Sequence, residues 1–173
     1  MLCHGYSTTS TAALQVINAE SSLDLHLKEI MHQCKIRKGI PFTFEEMVFI
    51  QIRNRPKSKR IIRTKILEAW QQRWIKISEA GTTKEFFPSV VERMNMSWIK
   101  PNHYTAQFLT GHGDFKEKLN SFQLSPDPWC EGAAGMCESS EHVLMESSLY
   151  EDTRSEILLE LRAKGQSWPQ TLI

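Results

Sequence analysis

Apolar residues return along most of this chain at the three- and four-residue intervals of a helix. Leu23, Leu27, Ile30, Met31 and Cys34 fall at i, i+4, i+7, i+8 and i+11, the stripe of one amphipathic helix, and Ser21 or Ser22 can cap its start. Thr43-x-x-Glu46 then has the form of a capping box and opens an element that stops at Pro56. Its middle, Val48 to Ile52, is β-rich enough to leave a short strand open as the alternative. The pattern is clearest from about Ile61 to Ala80, where Ile62, Ile66, Ala69, Trp70, Trp74 and Ile77 form a continuous apolar face. Gly81 stands where a left-handed terminal residue belongs. The two tryptophans read first as core, with base stacking the lesser reading.

Shorter helices are predicted over Ser89 to Asn95 and His103 to Thr110. Gly111-His112-Gly113 breaks the chain, and Asp114 can cap a further piece reaching Phe122. The proline-rich step from Ser125 to Pro128 marks the main boundary, giving one part over residues 1–124 and another over 125–173. The second part opens with a glycine- and alanine-rich loop from Cys130 to Cys137, then a short helix from Ser140. A last helix starts at the capping box Ser148-x-x-Glu151, points Tyr150, Ile157, Leu158 and Leu161 inward, and ends at Gly165. The fold class is mainly α: an amphipathic helical linker region, a small Cys/His tail and a C-terminal helix.

Composition narrows the functions. No apolar run approaches the ~18 to 20 residues of a membrane span, and the N-terminus lacks the basic start and apolar stretch of a secretory signal. Four scattered cysteines are too few for a disulfide framework, which points to a reducing, intracellular setting. The net charge of +1 hides a strong polarity. Residues 35–76 hold twelve Lys/Arg against three Glu, whereas residues 125–173 hold three Lys/Arg against nine Asp/Glu. Within the basic part, Arg53 to Lys65 carries seven cations in thirteen residues and no acid. Arg53, Arg55, Lys57, Lys59, Arg60, Arg63 and Lys65 are therefore the candidate phosphate contacts, and the same run also reads as a nuclear-import signal. The plainer alternative is a solvated start to a helix. His112 has no nucleophile or carboxylate at recognisable spacing, so the glycines beside it carry a backbone role and His112 meets phosphate or solvent.

Four segments carry a resemblance. GYSTTSTAALQVI (Gly5 to Ile17), WQQRWIKISEAGTTKEFFPSVVER (Trp70 to Arg93), QFLTGHGDFKEKL (Gln107 to Leu119) and EHVLMESSLYEDTR (Glu141 to Arg154) occur in this order. Together they resemble the part of non-LTR retrotransposon Pol proteins that follows the polymerase core, above all in the arthropod type-1 elements that target ribosomal DNA. The Leu-Thr-Gly-His-Gly phrase is the most specific of these matches. The resemblance implies a parent that nicks DNA and reverse-transcribes RNA, with this region as its linker and zinc-knuckle-like tail. The paired aspartates of the polymerase are missing, since the chain has no Asp-Asp, and no counterpart of the endonuclease is found. The expectation is accordingly no enzyme, but a nucleic-acid-binding fragment whose partners are RNA or DNA and the parent's polymerase domain. The competing expectation is a decayed open reading frame with no activity, its Ile62 to Ile77 face left without the polymerase. A functional chain would act in the nucleus.

The resemblance also implies zinc, held in the family by Cys, Cys, His and Cys with four residues between the last two. Here Cys130, Cys137 and His142 are the candidate ligands, and Ser147 stands in the fourth place. Six residues separate Cys130 from Cys137 where the family usually has two, and Asp127 or water would have to complete the set. The alternative is an eroded site that needs no metal.

Overall fold

The computed structural model describes residues 9–49 and 54–165, and the account below concerns these. The fold is mainly α, as the periodicity predicts. Helix α1 (Thr11–Ile17) buries Ala13, Val16 and Ile17, and α2 (Leu23–Lys38) ends on Gly39, whose φ of 70° makes the left-handed cap. Strands β1 (Phe42–Phe44) and β2 (Met47–Phe49) form an antiparallel hairpin. Helices α3 (Arg55–Lys76), α4 (Gly81–Phe86), α5 (Val90–Asn95) and α6 (His103–Thr110) follow. Helix α7 (Lys116–Ser121) completes the first part, and the tail contains α8 (Ser140–Met145) and α9 (Glu151–Ala163).

Helix α3 is the axis of the core. Ile62, Ile66, Trp70 and Trp74 are buried along one side, packed with Val16, Ile17, Leu25, Ile36, Phe87 and Val90. The Trp74 indole N–H donates to Phe87 O at 2.8 Å, so a large apolar ring is buried without stranding its polar atom. Ile77 adopts an extended backbone, and Gly81 opens α4 instead of closing α3. The helix also begins earlier than its apolar pattern, because Asn54 caps it through Lys57 N–H at 3.0 Å and Pro56 is tolerated in its first turn.

Two sequence expectations are corrected here. The Thr43-x-x-Glu46 segment is a hairpin turn and not a helix start, with Glu45 at φ 51°. Alternation decides this: Phe42 and Phe44 point inward around His32, with ring centroids 5.0 and 4.6 Å away, while Thr43 and Val48 face solvent. Of the alternative strand, residues 50–52 lie outside the described residues. The second correction concerns α2. It buries Leu25, Glu29, His32 and Ile36, and Leu23, Leu27, Ile30 and Met31 are exposed by 70, 55, 45 and 46%. One partner from far along the chain, Arg63, and contacts one turn away within α2 satisfy the polar groups on this buried side. Glu29 accepts from Arg63 at 2.5 Å and from Gln33 at 2.9 Å, and His32 Nδ1 meets Lys28 O at 2.7 Å.

Arg93 is a core residue that the sequence reading missed. The residue is 3% exposed, and its guanidinium donates to the carbonyls of Ile17, Met96 and Ile99 and lies over the Phe87 ring. Burial pushes its pKa down. It ties the end of α1 to the turn after α5.

Candidate nucleic-acid interface and the Cys/His centre

The basic run forms the first turns of α3. Arg55, Lys57, Lys59 and Arg60 are exposed, and none of them makes an ion pair among the described residues. The first turn has no acid. Cations here add to the positive end of the helix dipole instead of offsetting it, an arrangement that works against the isolated helix and favours an anion. The structure separates these four from the other candidates. Arg63 is committed to Glu29, and Lys65 pairs with Glu68 at 2.7 Å. Arg53 lies outside the described residues.

The Leu-Thr-Gly-His-Gly phrase forms the corner between α6 and α7. Gly111 takes φ 66° as the cap of α6. A Cβ on Gly113 would come within 2.7 Å of the Phe115 ring and 3.2 Å of Gln107 Cβ, so both glycines serve the backbone. His112 Nδ1 lies 2.9 Å from Thr110 O. A cleft of about 630 Å³ beside it is lined by Glu79, Glu85, Glu117 and Glu141 against Lys118, the wrong sign for phosphate. Asp114 does not occupy the cap of α7, which is Phe115. Glu138 from the tail accepts from Lys116 N–H at 3.3 Å instead.

The tail loop closes where Trp129 bridges Cys137, with Cys130 N–H donating to Met136 O at 2.9 Å. Cys130 and Ser147 are buried with Sγ and Oγ 3.5 Å apart, and His142 is also buried. The His142 ring places Nδ1 3.1 Å from Glu146, and its Nε2 is buried. The Ser147 hydroxyl is the main influence holding the Cys130 thiol below its ordinary value against burial, with Gly132 N–H and His142 assisting. Burial opposes the His142 imidazolium, but Glu146 and Cys130 outweigh it and raise the pKa.

Among the described residues, no three His, Cys, Asp or Glu side chains gather as a metal-holding group. Cys130 and His142 are brought together with Ser147, and Cys137 does not complete the set. A structural zinc ion takes four thiolate, imidazole or carboxylate donors, and a serine hydroxyl does not ionise near neutral pH. The donor set present does not fit zinc.

The last helix also departs from its pattern. Ser148 does not cap it; its hydroxyl donates to Gly132 O at 2.6 Å. Tyr150 and Ile157 are exposed by 49 and 41%, and α9 buries no residue. Arg154 anchors its start, donating to Leu144 O and Ser147 O at 2.8 and 2.9 Å.

A mainly α chain with a cationic helix end and a Cys/His loop can now be set beside known proteins. It is a homologue of one region of the Pol polyproteins of type-1 retrotransposable elements. It is 32% identical over 158 residues to the retrovirus-related Pol polyprotein from type-1 retrotransposable element R1 4 of Nasonia vitripennis, covering 88% of this chain and 39% of the relative. The corresponding R1 polyprotein of Bradysia coprophila is 34% identical, over 85% of this chain and 15% of its own length. A putative 115 kDa protein in element R1DM of Drosophila melanogaster is 29% identical, over 93% of this chain and 16% of its own. The chain therefore spans well under half of each of these relatives. No family model and no solved structure matches it. No helix among the described residues is long and apolar enough to cross a membrane.

Proposed function

We propose that this chain is a nucleic-acid-binding segment, corresponding to the region after the polymerase core of a retrotransposon Pol protein, with no catalytic chemistry of its own. The observation that carries this reading is the set of four exposed cations, Arg55, Lys57, Lys59 and Arg60, which make no ion pair among the described residues, around an acid-free helix start. They offer charge and N–H donors to phosphate oxygens with no groove-reading geometry, so binding is sequence-tolerant. RNA or DNA is the partner, and the same charges suit nuclear import. The parts over residues 1–124 and 125–173 divide the work, the first meeting phosphate and the acidic second standing clear of it.

The inert-relic reading expected the Ile62 to Ile77 face to lie open without a polymerase. Ile62, Ile66, Trp70 and Trp74 are buried within this chain, which removes that argument.

Fluorescence anisotropy with labelled single-stranded RNA and a DNA duplex tests the proposal. Four phosphate contacts imply a loss of roughly 100-fold in duplex affinity between about 50 and 200 mM salt. The Lys59→Glu, Arg60→Glu double variant should abolish most of the binding. Affinity indifferent to salt, or to that charge reversal, overturns the interface.

A further inference from the structure

The turn that follows α5 presents an aromatic ring to solvent at the cationic end of α3. Val90 N–H donates to Gln71 Oε1 at 2.8 Å, and Met94 Sδ lies 3.6 Å from an Arg63 Nη atom, so α5 runs back along α3 toward its first turns. One turn further in that direction stand Lys59 and Arg60, the i−4 and i−3 neighbours of Arg63. The chain then turns through residues 96–99, closed by Ile99 N–H on Met96 O at 3.1 Å. Met96 and Ile99 pack against the core, and the Arg93 guanidinium holds both of their carbonyls. Between them Trp98 is 76% exposed, the most exposed tryptophan among the described residues. Its flanks, Asn95, Ser97, Lys100 and Asn102, are polar and exposed.

We propose that Trp98 is a stacking platform for an unpaired nucleobase, which makes a single strand the preferred ligand of the α3 interface; this rests on the phosphate-binding reading above. The surroundings of the ring select a nucleic acid over a protein partner. A protein contact calls for a continuous apolar patch, whereas Trp98 is one ring among polar side chains. A base offers a flat π-face to a single indole and asks nothing of its neighbours. Lys100, exposed and in no ion pair among the described residues, adds a cation two residues from the ring. A single strand can lay its phosphates along Lys59 and Arg60 and turn a base out onto the indole. In a duplex every base is already paired and stacked, so the ring has nothing to receive. Anchoring of the turn by Arg93 also limits the freedom lost when a base settles on the ring.

Fluorescence anisotropy of the full chain with labelled oligo(U), and with a DNA duplex of equal length, tests this. Wild type should bind the single strand more tightly. Trp98→Ala should weaken oligo(U) binding by roughly fivefold to a hundredfold and leave duplex affinity unchanged. The salt dependence of both should stay as it was, since no phosphate contact is lost. Trp98→Phe keeps a ring and should keep most of the affinity. A strand carrying 5-iodouracil should photo-cross-link to Trp98, mapped by mass spectrometry. Equal weakening toward single strand and duplex, or no weakening toward either, overturns the platform, as does a cross-link that maps elsewhere. The two readings fail separately. If the Lys59→Glu, Arg60→Glu variant loses binding and Trp98→Ala does not, the phosphate interface stands and the platform falls. A wild-type chain that binds neither ligand overturns both.

Discussion

Between α1 and α6 the buried side chains are chiefly apolar: Val16, Ile17, Ile62, Ile66, Trp74 and Val90 are each no more than 1% exposed. Past residue 125 the buried side chains are Cys130, Ser140, His142 and Ser147, and α9 buries nothing. The first region is stabilised by area removed from water, which adds up with little demand on geometry. The second is held by directional contacts around a thiol, an imidazole and a hydroxyl, each of which needs its partner in place. A segment of this size with so little apolar burial ordinarily relies on a staple such as a metal ion or disulfides. Here the tail instead leans on the core region, through the Lys116 pair with Glu131 at 2.7 Å and the capping of α7 by Glu138.

The largest effect should come from the core. Trp74→Ala removes a fully buried ring and leaves Phe87 O without its donor, and should cost about 3 to 5 kcal/mol in urea unfolding followed by tryptophan fluorescence. Leu158→Ala in the half-buried face of α9 should cost under ~1 kcal/mol. Equal costs at the two positions would erase the contrast between the regions.

Much of the core was legible in the sequence because its signals are local. The Ile62, Ile66, Trp70, Trp74 face repeats over three turns, and α6 ends at Gly111, where the Gly-His-Gly step was expected to break the chain. The orientation of α2 was not legible, because the partner that makes burying Glu29 acceptable is Arg63, 34 residues away. The hairpin was missed because Thr43-x-x-Glu46 spells a capping box, while the competing Phe-Thr-Phe alternation is only three residues long. In the basic run, spacing shows density but not which cations are spent: Arg63 and Lys65 have carboxylate partners, and among the described residues the four before them do not. The Cys/His centre was half legible. His142 and the place of Ser147 follow from spacing, but the loop that bridges Trp129 to Cys137 without adding Cys137 to a metal-holding group does not.

That centre supplies an intermediate effect, a gain in the weaker region. Wild-type unfolding should be the same with zinc and with chelator. Ser147→Cys places a thiol where Oγ now sits 3.5 Å from Cys130 Sγ, and Ala133→Cys adds another with two residues between it and Cys130, in the turn closed by Ala133 N–H on Cys130 O. The double variant should bind cobalt(II) with the absorption of a tetrahedral thiolate site, and zinc should slow proteolysis of the tail. A featureless cobalt spectrum would mean that these positions do not surround one point.

The smallest effect separates the two kinds of contact inside the core region itself. Arg73 donates two hydrogen bonds to Asp24, at 2.9 and 2.7 Å, and Ser22 adds a third at 2.7 Å, so the carboxyl lies well below its ordinary range. A depressed folded-state pKa contributes stability that is present above the unfolded value of 3.8 and is lost as pH falls through the folded one. The two side chains are 47 and 50% exposed, and solvent screening keeps the contribution under ~1 kcal/mol. Asp24→Asn should therefore lower the urea midpoint slightly near neutral pH, and the gap from wild type should begin to close as pH falls below 3.8 and go on closing as the folded carboxyl takes its proton. A gap that persists in acid would show that the residue acts through its shape at the start of α2 and not through its charge. The same titration on Trp74→Ala should leave a gap that does not close with pH, since no proton is exchanged at that site.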